Sequence, residues 1–202
     1  MIEKPIGMEN LFLPEDNKHE IMHVGSPIIR TRSKPAANHK QGAVICEMLT
    51  EKLRELQGAG LAAPQMGIPY RVFVVEVRKT LMFPDREESP LYEVINPKLE
   101  YLSKDELIEF EGCFSVPGYV GQVPRARKVK LYWTSPEGSK RSEVFEGYLA
   151  RVFQHEFDHL NGCLYLDRMP DMSSLSTREN YMRARLENER FTLKRLDADP
   201  QA

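Results

Sequence analysis

Cysteine is scarce in this 202-residue chain: Cys46, Cys113 and Cys163 are the whole set. An odd number without regular spacing excludes a disulfide framework and points to a reducing compartment. No apolar run approaches the length that crosses a bilayer, so no membrane partner is expected. The opening Met1-Ile2-Glu3-Lys4-Pro5 lacks both the apolar stretch of a secretory signal and the Arg-rich, acid-poor character of a transit peptide, and a cytoplasmic location is expected. Charge of one sign is also missing. A formal net charge of −2 gives no global reason to bind nucleic acid or an acidic surface, leaving only local basic patches open. There is no internal repeat and no low-complexity segment.

What is present is an ordinary globular composition, 41% hydrophobic and 29% charged, in a length that suits one domain over residues 1–202. Residues 1 to about 35 are Pro-rich and polar and read as an irregular arm. From about Asn38 to Gln57, Val44, Ile45, Met48, Leu49, Leu53 and Leu56 recur at helical spacing, and Gly58 is a stop signal. Tyr70 to Val77 reads as a buried strand, followed by a charged, Pro-punctuated loop from Arg78 to Pro90. Strands are expected at Glu93 to Ile95, Leu99 to Leu102 and Val129 to Thr134. A turn at Ser135-Pro136-Glu137-Gly138 and a strand through Val144 make the last of these a hairpin. Tyr148 to Leu160 reads as a buried helix. Over 174–202 a more solvated helix with a tail is expected, opened by the capping-box pattern Ser176-Thr177-Arg178-Glu179 and running to about Leu196.

The segment His155-Glu156-Phe157-Asp158-His159 puts two imidazoles at i and i+4, where one helix face can present both to a single metal ion. Neutral imidazole suits zinc, iron, nickel or copper, and the adjacent Glu156 carboxylate can take a proton from an activated water. The plain alternative is a pair of core histidines with a Glu at a helix edge. Two histidines need a third ligand, and its identity separates the families. Through Gly162 the run follows the metzincin pattern, but Tyr165 stands where that pattern has its last His. Glu179 could supply a carboxylate as in a thermolysin-like zinc peptidase, provided the C-terminal helix packs against the first.

Upstream, Glu111-Gly112-Cys113-Phe114-Ser115 offers a thiolate instead, although a lone Cys is commonly just a small buried apolar side chain. Gly58-Ala59-Gly60-Leu61-Ala62-Ala63-Pro64-Gln65 is a small-residue loop whose bare backbone can pair with an extended peptide, with an amide side chain at its end to donate to an oxyanion. By itself it is also simply a helix stop and a turn.

In this order, Gly58 to Gln65, Glu111 to Ser115 and Gln154 to His159 resemble the three signatures of peptide deformylases: G-x-G-x-A-A-P-Q, E-G-C-x-S and Q-H-E-x-D-H. The resemblance extends over roughly residues 20 to 170. It implies an α/β (α+β) fold, a compact single domain with small antiparallel sheets around a central metal-binding helix. It also implies roles: Cys113, His155 and His159 as metal ligands, Glu156 as proton carrier, and Gln65 with the Phe114 backbone N–H facing the oxyanion. Ala59, Gly60 and Gly112 would offer main-chain hydrogen bonds to the peptide, and Arg125 would contact it. The implied reaction removes the formyl group from formyl-methionine at the N-terminus of nascent polypeptides and releases formate. The resemblance favours Fe(II), with Zn(II) or Ni(II) able to occupy the site.

Two positions depart from the common bacterial pattern. Val120 stands where many bacterial relatives have Arg, and Gly147 to Gln154, with Arg151 in it, is more similar to the mitochondrial-type subgroup. Arg151, one turn before His155, could reach the substrate mouth or bridge to a carboxylate. A metal-storing or ribosome-associated protein without catalysis would need a closed site, and His19, His23, His39, Cys46 and Cys163 offer no evident fourth ligand. Arg183, Arg185, Arg190, Lys194 and Arg195 alternate with Glu187 and Glu189, the pattern of a solvated helix; the resemblance also suggests a transient ribosome contact there.

Overall fold

A computed structural model of the chain describes residues 21–79 and 86–186. Helix α1 spans His39–Leu56. Asn38 caps it by accepting from Gln41 N at 3.0 Å, and the chain leaves through Gln57 in the left-handed region at φ 55°. The stop is thus made one residue before Gly58. Within α1, Ile45, Leu49 and Leu53 are buried as their spacing predicts, whereas Val44 is exposed.

Five strands come next: β1 (Gly60–Ala62), β2 (Val72–Val75), β3 (Tyr92–Tyr101), β4 (Glu106–Cys113) and β5 (Val116–Ala126). Strands β6 (Lys128–Thr134) and β7 (Lys140–Glu146) form the expected hairpin, with Gly138 at φ 88° in its turn. Helix α2 is Gly147–His159, β8 is Ser176–Thr177 and α3 is Arg178–Leu186. Among the described residues the named strands pair antiparallel, in a five-stranded sheet of order β1-β2-β3-β6-β7 and a three-stranded sheet of order β4-β5-β8.

The five-stranded sheet is covered on both faces, which is why β2 is apolar at every position. Val72 and Val74 pack towards Ile45, Cys46, Leu49 and Leu53 of α1. Phe73 and Val75 point the other way, into a cluster with Phe145 and with Ala150, Val152 and Phe153 of α2. Phe145 and Phe153 stack there with ring centroids 4.1 Å apart. Helix α2 is therefore central, with the first sheet on one side and β5 of the second on the other.

Several sequence expectations are revised. The two strands expected on either side of Asn96-Pro97 are one strand, β3, which carries a register shift between Ile95 and Lys98 with Asn96 at φ 52°. The β4–β5 hairpin has no strand signal in the sequence, because Gly112, Pro117, Gly118, Gly121 and Pro124 break the alternation. At the C-terminus Ser176 and Thr177 are strand, paired with Val120 and Tyr119, and Thr177 Oγ1 rather than Ser176 accepts from Asn180 N, at 3.2 Å. Of the arm expected over 1–35, residues 1–20 lie outside the described residues. The rest carries a 3-10 turn, Pro27–Arg30, that buries Ile29 beside Val116, Val123, Leu164 and Tyr165. Residues 187–196 of the expected C-terminal helix, and residues 80–85 of the loop after β2, also lie outside them. No helix among the described residues is long and apolar enough to cross a membrane.

Candidate active site

Helix periodicity places His155 and His159 on one face of α2, with ring centroids 5.0 Å apart. The tight β4–β5 turn delivers Cys113 to the same point, its Sγ 3.3 Å from His159 Nε2. One ligand atom from each of the three residues falls within 4.8 Å of the others. Bond lengths of about 2.3 Å to sulfur and 2.1 Å to nitrogen put a thiolate and an imidazole on one tetrahedral ion about 3.6 Å apart. The donor set therefore fits a divalent cation that favours sulfur and nitrogen, with a position left for a reacting molecule.

The site is held from behind by Glu111, a residue that the sequence marks only as part of a motif. Its Oε2 lies 2.9 Å from His155 Nδ1, and it accepts from Arg125 at 2.9 and 3.0 Å and from Arg151 Nη1 at 2.7 Å. Burial alone would raise its pKa, but the hydrogen bonds from His155 and Arg125 prevail and hold the carboxyl well below the usual carboxylate range. A carboxylate on the far nitrogen fixes the imidazole's orientation and leaves Nε2 for the metal. Burial likewise works against a charged His155, yet Cys113 and Glu111 keep its pKa well above the ordinary value. His159, whose Nδ1 has no protein partner, is pushed well below it, by burial first and by the neighbouring His155 second. Ligation requires both rings neutral, with the His155 proton kept on Nδ1 facing Glu111.

Arg125, expected at the substrate, is instead enclosed at 5% exposure between two carboxylates, Glu111 and Asp158; its Nη1 donates to Asp158 Oδ2 at 2.5 Å. It does not line the cleft. Two buried acids require its charge, and Arg168 completes the set on Asp158 at 2.7 and 3.1 Å. Arg151 meets both expectations: it lines the cleft and bridges carboxylates, donating to Glu111 at 2.7 Å, pairing with Glu109 at 3.1 Å and reaching the carbonyls of Val123 and Leu107 at 2.9 and 2.6 Å. Gln154 ties α2 to the end of β5 by accepting from Ala126 N at 3.1 Å and donating to Ala126 O at 2.9 Å. Only the motifs marked Glu111 and Gln154; their partners come from separate segments.

Glu156 faces the opposite wall. A Cβ on Gly60 would stand 2.5 Å from its Oε1, so glycine there lets β1 approach the carboxylate, while Oε2 is buried without a protein partner. Burial is the main reason its pKa is pushed up to about 7. Gln65 sits in a 3-10 turn, Ala63–Met66, with Oε1 accepting from Ala62 N at 2.9 Å. That anchor points Nε2 to Cys113 Sγ at 3.5 Å and Ser115 Oγ at 3.3 Å.

A cleft of about 880 Å³ opens from these groups. Ala59, Gly60, Gln65, Gly112, Cys113, Phe114, His155 and Glu156 all line it, and Val120 forms part of its wall. Strands β1 and β4, which line it from two sides, are edge strands of their sheets. Glu179 lies elsewhere: its side chain is 85% exposed and pairs with Arg183 at 3.3 Å, so the zinc-peptidase alternative loses its ligand. Tyr165, at the metzincin position, is buried beneath the site.

This fold, with a thiol and two imidazoles gathered beside a buried carboxylate, is that of an α/β domain whose donor set fits a hydrolytic metal centre. Residues 18–174 match the model of the polypeptide deformylase family, and the chain belongs to that family. It is 39% identical over 155 residues to a peptide deformylase of Thermus thermophilus, covering 72% of this chain and 79% of that protein. Identity is 36% over 165 residues, 81% of this chain and 94% of that one, to a peptide deformylase of Thermotoga petrophila. A Met-Ala-Ser-bound crystal structure of a class I type b peptide deformylase from Acinetobacter baumannii superposes with TM-score 0.72 at 32% identity, covering 75% of this chain and 98% of that one. The corresponding values for the Thermotoga maritima enzyme are 0.68, 35%, 76% and 98%. The chain is a hydrolase that removes N-formyl groups, and the family's metal dependence accords with the ligand cluster.

Proposed function

We propose that Cys113, His155 and His159 hold one divalent ion, natively Fe(II) with Zn(II) or Ni(II) able to replace it, and that the substrate is formyl-methionine at the N-terminus of nascent polypeptides in the cytoplasm. The observation that carries this reading is the meeting of the Cys113 thiol with two imidazoles beside a buried carboxylate whose Oε2 has no protein partner. When bound, the ion supplies Lewis acidity and a lowered water pKa at neutral pH.

The chain's own groups do the rest. Glu156 takes the water's proton at its free oxygen and returns it to the departing amine, a task suited to a carboxylate that titrates near neutrality. Gln65 Nε2 and the Phe114 N–H donate to the oxyanion as the formyl carbon becomes tetrahedral. The peptide lies extended between the free edges of β1 and β4, with main-chain hydrogen bonds to Ala59, Gly60 and Gly112. The tripeptide Met-Ala-Ser bound to the Acinetobacter enzyme supports an occupant of this kind. Formate and a free N-terminus leave.

Formate release from formyl-Met peptides, paired with element-resolved metal analysis of anaerobically purified protein, tests the reading. Glu156→Ala keeps its metal and loses activity by roughly 100-fold or more, whereas Cys113→Ser loses the metal. Undiminished turnover by Glu156→Ala refutes the assigned base, and fully active protein containing only zinc refutes native iron. The basic side chains of α3, Arg183 and Arg185, support a transient ribosome contact; failure to co-sediment with ribosomes at low salt refutes it.

A further inference from the structure

The match to the deformylase family ends at residue 174, yet the cleft does not. Beyond that point β8 adds Ser176 and Thr177 to the outer edge of β5, opposite Val120 and Tyr119, and Ser174 Oγ accepts from Gln122 N at 3.2 Å. This strap sets α3 across the cleft, where Arg178, Tyr181, Met182 and Arg185 become lining residues. Ala184, on the same helix, is buried. The Tyr181 ring packs on Phe110 with centroids 4.8 Å apart and planes inclined at 42°.

Phe110 gives the position along the substrate. It lies three residues before Cys113 on β4, and a strand rises about 3.4 Å per residue, so the backbone that carries it is about 10 Å along the strand from Cys113. Residues Ile108 and Phe110, both in the cleft wall, continue the same surface away from the metal. An extended peptide whose formylated residue is at the metal brings its third residue to this level.

We infer that Tyr181, seated on Phe110, and Met182 of α3 form a downstream subsite for an apolar side chain at the third residue of the peptide. This rests on the deformylase reading of the cleft. The elements that hold the reacting formyl group come from before residue 174, and the strap and α3 add selectivity for the residues C-terminal to the formylated one. Tyr181 suits the task because a ring already packed on Phe110 loses little freedom when a substrate side chain packs on it.

The test compares Tyr181→Ala and Met182→Ser with wild type on formyl-Met-Ala and on a formyl-Met-Ala-Phe-Ala peptide. Losing an aromatic contact of about 1 kcal/mol raises KM for the longer peptide about fivefold, leaves its kcat unchanged and leaves the short peptide unaffected. Tyr181→Phe, which keeps the ring, retains wild-type KM. Equal changes for both peptides, or none for either, overturn the inference. Titration calorimetry with the unformylated Met-Ala-Phe-Ala peptide against Met-Ala gives a readout independent of turnover. If no peptide yields formate but the longer one still binds more tightly through Tyr181, the hydrolase reading fails and the subsite stands; equal affinity for the two peptides overturns the subsite.

Discussion

Gly60 and Glu156 approach so closely that a Cβ on the glycine would lie 2.5 Å from the carboxylate Oε1 and 2.8 Å from its Cδ and Cγ. Backbone and acid share one space, and β1 is fixed there by its register with Val74 and Val75 of β2. The side chain must give way to any substituent.

Gly60→Ala is therefore expected to displace the base and to leave the ligands in place. A shift of about 1 Å in a reacting group costs roughly 100-fold in rate, so kcat should fall by about that factor with metal content unchanged. Steady-state formate release and metal analysis on the same preparation check it; unaltered kcat would show that Glu156 has room to move.

Glu111 joins the metal-binding and structural roles of the site. Glu111→Gln keeps the shape and weakens the polarisation of His155, and a lost carboxylate behind a ligating imidazole lowers metal affinity about 10- to 100-fold, measurable by chelator competition. Glu111→Ala leaves Arg125 to Asp158 alone and Arg151 to Glu109, each one carboxylate short in the interior. Removing one partner of such a buried set costs about 3–5 kcal/mol, which urea unfolding reads directly.

A second ion pair, remote from the metal, sets a pH dependence. Arg54, near the end of α1, donates to Glu76 just beyond β2 at 2.9 and 2.8 Å, and these bonds hold the Glu76 carboxyl below its ordinary value near 4.5. Because the folded-state pKa is the lower one, the contribution is fully present above the unfolded-state value and is lost as pH falls through the depressed one. The stability gap between wild type and Glu76→Gln should accordingly be wider at about pH 7 than at about pH 3. Urea midpoints at the two pH values decide, and a gap equally wide in acid contradicts the assignment.

Phe153 stacks on Phe145 and lies edge-on to Tyr92 at 5.3 Å in the core between α2 and the five-stranded sheet. Phe153→Ala should destabilise the protein by about 3–5 kcal/mol and lower metal retention along with it, since the same helix carries both histidines. Thermal unfolding with and without added metal separates the two effects.

Much of this was legible in the residues alone. The i, i+4 imidazoles, the buried α2 and the all-apolar β2 follow from periodicity, which a helix or a two-faced strand cannot disguise. The β4–β5 hairpin is not legible because its prolines and glycines erase the alternation, and the cap of α3 falls one residue later than its sequence pattern predicts because the helix starts at Arg178, which makes Thr177 the capping residue. Arg125 was assigned to the substrate because a motif carries no direction: the same guanidinium can face a cleft or a pair of buried acids.

The sequence by itself determined the chemistry, since side-chain type and local spacing settle what a thiol, two imidazoles and a carboxylate can do. Only the tertiary structure decided which groups meet. Glu111 reaches His155 across 44 positions, Arg125 is divided between Glu111 and Asp158, and Tyr181 arrives at Phe110 from beyond the family's span. Such contacts depend on how two sheets and three helices pack, a long-range property that no local pattern encodes.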